Sequence, residues 1–135
     1  MSNLSREQLL SRCVMIDNGD ARDVLYPEGY IMFMPALVKG RYETSVILHA
    51  GQKKSELDEA GKYIERKNKK HPRFLGRCVC RVGDVESVNA LDVEPQKSAI
   101  SAFHANVIGW SNDVSRQILE AEKIAMSATY VRRMS

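Results

Sequence analysis

The stretch Arg73-Phe74-Leu75-Gly76-Arg77-Cys78-Val79-Cys80-Arg81-Val82 decides the fold. Successive side chains on a strand point to opposite faces. Phe74, Gly76, Cys78, Cys80 and Val82 would therefore share one face, and Arg73, Leu75, Arg77, Val79 and Arg81 the other. The period of two predicts a strand with one side on a core and three guanidinium groups on the opposite side. Gly83-Asp84 then reads as a turn, and residues 85–93 as a partner strand.

Upstream, His71-Pro72 ends a helix, because the residue before a proline is pushed out of helical dihedrals. Ser55-Glu56-Leu57-Asp58 resembles a helix cap, and Leu57, Ala60, Ile64 and the stem of Lys67 recur at helical spacing. Together they predict a helix over 56–69. Before it, the apolar run 30–38 and the segment 42–49 form a hairpin about Lys39-Gly40, with Pro35 marking an edge or a bulge. At the N-terminus, Ser5 and Gln8 form a capping box with Leu4 and Leu9 as its staple. This predicts a helix carrying Leu9, Leu10, Cys13 and Val14 that stops at Asn18-Gly19-Asp20.

Downstream, Glu94-Pro95-Gln96-Lys97 is a connector. Residues 98–110 are undecided, since small residues favour a helix and the Asn106-Val107-Ile108-Gly109 end favours an extended segment. Ser111-Asn112-Asp113 starts a last helix with Val114, Ile118, Ala121, Ala125 and Ala128 on its face, and Trp110 as a buried anchor beside it. No repeat or low-complexity tract interrupts this order. It predicts an α+β fold: one compact domain over 1–135, with a mostly antiparallel sheet of about four strands packed with three helices.

A chain of 135 residues, 44% of them apolar, is long enough to bury about two thirds of its unfolded surface without disulfide or metal staples. No apolar run approaches the roughly 20 residues that span a bilayer, and MSNLSREQLL is too polar for a secretory signal. A cytoplasmic protein with no membrane role is expected. The odd count of cysteines, Cys13, Cys78 and Cys80, predicts reduced and buried thiols. Cys78 and Cys80 stand too close in sequence for a usual zinc pair, so neither a metal nor a cofactor is predicted. No phosphate-loop or dinucleotide glycine pattern occurs, and the single Gly51 after His49 does not make one.

The formal net charge of +3 hides an asymmetry: residues 62–81 carry a net +7, which leaves −4 on the rest. Arg66, Lys67, Lys69, Lys70, Arg73, Arg77 and Arg81 are the candidate anion-binding residues. Arginines at four-residue spacing on a strand stand about 13 Å apart, a spacing that can track phosphates. The competing reading is that the helix-end cations offset the helix dipole while acids on a neighbouring strand neutralise the arginines. Few aromatic residues interleave, only Tyr63 and Phe74, which argues against stacking on single-stranded bases.

His104 and Asn106 are the candidate catalytic pair, since a histidine can move a proton near neutral pH and an amide can orient a water or substrate. They share a face only if the segment is extended. The run His104 to Trp110 resembles a segment of short bacterial proteins, and that likeness implies a bacterial or mobile-element origin but no activity.

The leading expectation is a small binding or regulatory module that contacts a nucleic acid or a protein partner through the basic 62–81 surface. One alternative is a ribonuclease-like toxin or other phosphate-acting enzyme using His104. Another is a homo-oligomeric accessory subunit contacting through Met32-Phe33-Met34, Met126 and Tyr130.

Overall fold

The structure is a computed structural model and describes residues 4–16, 32–67, 73–96 and 102–134. In chain order the elements are β1 (Leu9–Ile16), β2 (Ala36–Val38), β3 (Arg41–Leu48), α1 (Lys54–Lys67), β4 (Arg73–Arg81), α2 (Val82–Glu86), β5 (Asp92–Pro95), β6 (His104–Ile108), α3 (Val114–Ser127) and β7 (Thr129–Arg132). The class is α+β with an antiparallel sheet, as expected, but the sheet is larger than four strands. Six strands run in the order β5-β6-β3-β1-β4-β7, and β2 pairs with β3.

The segment expected to be the first helix is instead the central strand β1. Its register sets Leu10 against Leu48 of β3 and Cys80 of β4, and Arg12 against Cys78. Both of its faces are buried, with Leu10, Ser11 and Val14 fully covered, so it carries apolar residues on both sides and does not alternate cleanly. The capping signal at Ser5 is spent on one turn, in which the Glu7 and Gln8 amides donate to Ser5, before the chain enters β1.

The 30–38 run narrows to β2, and Lys39-Gly40 makes the expected hairpin turn with both residues at positive φ. Phe33 is buried, and Met32 and Met34 pack half-buried against the core. The Met-rich stretch thus packs into the core. The expected helix end at His71-Pro72, like Lys69 and Lys70, lies outside the described residues.

Two further expectations change after β4. Val82–Glu86 is a short helix where a turn and the start of a strand were expected. The partner strand is only Asp92–Pro95, and it pairs with β6 and not with β4. Residues 104–108 are extended, which settles the undecided segment in its second half. After α3 the chain turns at Ala128 directly into β7, an unexpected edge strand on β4.

One face of the sheet carries Leu10, Val14, Val46, Cys78, Cys80, Val93, Ala105 and Val107. It lies under Val82 and Val85 of α2, the 87–91 loop and α3 with Ala121 and Ile124, and Trp110 is buried there as expected. The side of α3 that turns inward is Gln117, Glu120, Ala121 and Ile124; of the expected stripe, Ala121 is buried and Ala125 and Ala128 pack partly buried against the core, whereas Val114 is 59% exposed. On the other face, α1 lays Leu57 and Ala60 over Cys13, Ile47 and Phe74.

Phe74 reaches that second face because the β1–β4 register slips between Val14 and Met15. Gly76 pairs with Val14 and Phe74 with Met15, so Leu75 is the extra residue. A bulge of one residue inverts the facing of everything beyond it. Phe74 is therefore parted from Cys78 and Cys80, and Arg73 from Arg77 and Arg81. Gly61 completes the fit, since a Cβ there would stand 2.3 Å from the Phe74 ring.

Candidate functional site

Arg77, offered above as the middle of an anion-binding wall, is 2% exposed and lies beneath α1. Its Nε donates to Asp58 Oδ1 at 3.0 Å, and Asp58, on the inner side of α1, is fully buried. The carboxylate's other oxygen accepts the Met134 amide at 2.8 Å, which ties the segment after β7 to the helix. Arg77 is thus a structural counter-charge and is closed to a ligand. Arg81, at the far end of β4, is exposed and faces Glu7 at 3.8 Å, while its own amide donates to Asp84. Arg73 and Arg81 are eight residues apart, about 27 Å along a strand. With the middle residue covered and the bulge between, the three arginines do not form one wall.

The buried pair continues into a polar chain. Arg77 Nη1 donates to Ser11 Oγ at 3.1 Å, and Ser11 Oγ stands 2.5 Å from His49 Nε2. Ser11 Oγ accepts from the guanidinium and shares a second hydrogen bond with the His49 ring. Burial, and then the charge of Arg77, push His49 down to about 4. A serine beside a histidine invites a nucleophile reading, but Ser11 is fully buried and held by Arg77, so the chain braces α1, β1 and β4.

The His49 shift has a definite sign in stability. The folded ring gives up its proton at about 4 and the unfolded ring near its ordinary 6.5, so between those values the unfolded chain binds more protons. The contribution is fully present above about 6.5 and is lost as pH falls toward 4. Denaturant midpoints measured from pH 7 down to pH 4 should fall in the wild type, and the His49→Gln variant should flatten the fall across that window.

At the other end of β4, three elements bring cations together. The last turn of α1 carries Arg66 and Lys67, β4 starts at Arg73, and the chain leaves β7 through Arg132 and Arg133. The junction is built around Glu65 of α1. Its Oε2 accepts the Phe74 amide at 2.7 Å and the Arg133 Nη1 at 3.2 Å, while Arg133 also donates to Phe74 O and lies 5.1 Å from the Phe74 ring centroid. Glu65 serves Arg133, which leaves Arg66, Lys67, Arg73 and Arg132 exposed at this corner. Only Arg66, Lys67 and Arg73 were legible as members. Arg132 and Arg133 arrive through the β4–β7 pairing, which sets Arg132 opposite Gly76.

His104 and Asn106 do share a face of β6, the extended alternative. His104 Nδ1 donates to Gln96 O at 2.7 Å, and Asn106 Nδ2 donates to Gln96 Oε1. Asn106 is buried, and its Oδ1 has no hydrogen-bond partner. The pair sits three strand spacings, about 14 Å, from β4, so the sheet does not bring His104 together with the β4 arginines.

His104 lines a cleft of about 190 Å³ that also touches Arg12, Cys13, Ser45, Ile47 and Ile64. Cys13, Cys78 and Cys80 are buried, as expected, and burial pushes their thiols up to about 11, 11 and 12. These are poor conditions for a thiolate. Among the described residues no group of three or more His, Cys, Asp or Glu could hold a metal ion, and no helix is long and apolar enough to cross a membrane.

Glu120, on the inner side of α3, is buried. It accepts from Asn89 Nδ2 at 2.9 Å and from the amide and hydroxyl of Ser111 at 3.2 and 3.0 Å. It is a latch between α3 and the loops before it. Of the contact residues considered for an oligomer, Met126 is 81% exposed, whereas the Tyr130 hydroxyl donates inward to Leu75 O. Comparison with known proteins returns no match to any family model, curated protein or solved structure.

Proposed function

We propose that the protein is a small binding module that grips a nucleic-acid backbone through the corner formed by Arg66, Lys67, Arg73 and Arg132. The observation that supports this reading is the convergence, among the described residues, of cations from three separate elements on one end of the sheet, around the carboxylate of Glu65. An ordinary solvated face mixes both signs, whereas among the described residues this corner keeps four exposed cations after Glu65 has been matched to Arg133. Phosphate contacts need no more than positioned Lys and Arg side chains. The shortage of accessible aromatic residues favours a duplex backbone over stacked single-stranded bases.

Each neutralised phosphate releases condensed counterions, so affinity should fall steeply with salt, and each lost contact should flatten the dependence by about 0.9 in slope. The test is fluorescence anisotropy on a labelled 20-base-pair duplex across several salt concentrations. The variant carrying Arg66→Ala, Lys67→Ala, Arg73→Ala and Arg132→Ala is expected to bind more weakly regardless of sequence, with a slope reduced by about 3 to 4. Arg116→Ala with Lys123→Ala on α3, away from the corner, is the control and should leave the slope unchanged. If wild type and the fourfold variant share one slope, the corner is not the phosphate surface.

A further inference from the structure

Arg12 is the one central-strand cation that the reading above does not use. Its Nε donates to Met32 O at 2.9 Å and its Nη1 to Ser45 O at 2.9 Å, just beyond the point where β1 and β3 stop pairing at Ile47. Among the described residues it meets no carboxylate. Desolvation pulls its pKa below the ordinary guanidinium value, in contrast to exposed Arg41, which is raised by its bond to Glu43. Backbone carbonyls satisfy two of a guanidinium's five donors and do not cancel its charge, so the half-buried Arg12 keeps donors and charge for an anion.

The cleft that Arg12 lines is otherwise mostly apolar. Ile47 and Ile64 supply its walls with Ala60, while Ser45 and His104 supply polar atoms. The His104 ring has committed Nδ1 to Gln96 O, so Nε2 is the nitrogen it retains for a ligand. The volume of about 190 Å³ is below that of a drug-sized pocket, roughly 300–1,000 Å³. It is slightly above the roughly 150 Å³ of an apolar cavity that accepts benzene.

We propose that this cleft between α1 and the β1–β3–β6 sheet face is a binding site for a small carboxylate with a compact apolar body, its anionic head paired with Arg12 and its body against Ile47, Ala60 and Ile64. The site is separate from the basic corner, and each can fail without the other.

The test uses benzoate as the probe and benzyl alcohol as its neutral counterpart, each titrated into the isotopically labelled protein and followed by amide chemical shifts. Benzoate should shift the amides of residues 12, 13, 45, 47, 60 and 64, and benzyl alcohol should bind at least tenfold more weakly. Arg12→Met should lower benzoate affinity at least tenfold. Because Arg12 also holds two backbone carbonyls, Ile64→Trp provides an independent check: it fills the cleft, leaves the guanidinium in place, and should abolish the response in folded protein. The proposal is overturned if benzoate produces no shifts, if it shifts only residues near Arg73 and Arg132, if the alcohol binds equally well, or if folded Ile64→Trp still responds.

Discussion

Asp58→Ala should lower the unfolding free energy by about 3–5 kcal/mol, because it strands a buried guanidinium with no counter-charge. Arg77 cannot follow water outward, since α1 covers it and Ser11 holds its Nη1. The same substitution frees the Met134 amide and with it the anchor of the segment after β7. The reverse deletion, Arg77→Met, leaves a fully buried carboxylate and should destabilise by a comparable amount. The double variant Asp58→Leu with Arg77→Met removes both charges and should be more stable than either single one, since an apolar pair of similar volume has no ionic desolvation to offset. Urea unfolding of the four proteins measures this. A double variant as unstable as the sum of the singles would mean that the pair acts as two independent residues.

The second large effect lies where β6 passes into α3. Gly109 adopts φ +88°, and a Cβ there would lie 2.1 Å from the backbone oxygen of Ala90. Alanine therefore meets two penalties: about 1–2 kcal/mol for the left-handed backbone, and about 1–3 kcal/mol to displace a carbonyl that cannot rotate away like a side chain. Gly109→Ala should destabilise by about 3 kcal/mol, a fall in Tm of roughly 10 °C for a chain of this size. Gly51 is the internal control: it has φ +77° but nothing within 4 Å of the added carbon, so Gly51→Ala should show the backbone penalty alone. Thermal unfolding of both variants separates the terms, and equal losses would show that the Ala90 approach contributes nothing.

What could be read from the residues followed from how local each signal is. The alternation at 73–82 identified β4, the Lys39-Gly40 turn its hairpin, and the Ser111-Asn112-Asp113 cluster the start of α3, where Asp113 Oδ1 accepts the Ser115 amide. β1 was read as a helix because burial on both faces erases the period of two, leaving the Ser5 and Gln8 cap as the loudest local cue. β7 is four residues that follow α3 with no intervening loop, too short for any pattern to register.

The candidate surface was partly legible for the same reason. Charge density is visible along the chain, but whether a given arginine is covered depends on what packs over it. Asp58 lies 19 residues before Arg77 in sequence, and nothing near Arg77 announces that partner. The bulge at Leu75 is equally silent, and it is what places Arg73 on the opposite side from Arg77 and Arg81.

The central place of β1 also bears on how the chain reaches this state. Its neighbours are supplied by residues 41–48 and 73–81, so the middle of the sheet cannot zip until more than half the described sequence has been threaded into position. Only the β2–β3 and β5–β6 pairs, each made of consecutive strands, can assemble early from nearby residues. The entropy of closing such long loops is lost before the central pairing returns any stability, which makes this a slow-maturing topology in which β1 waits as an exposed apolar ribbon.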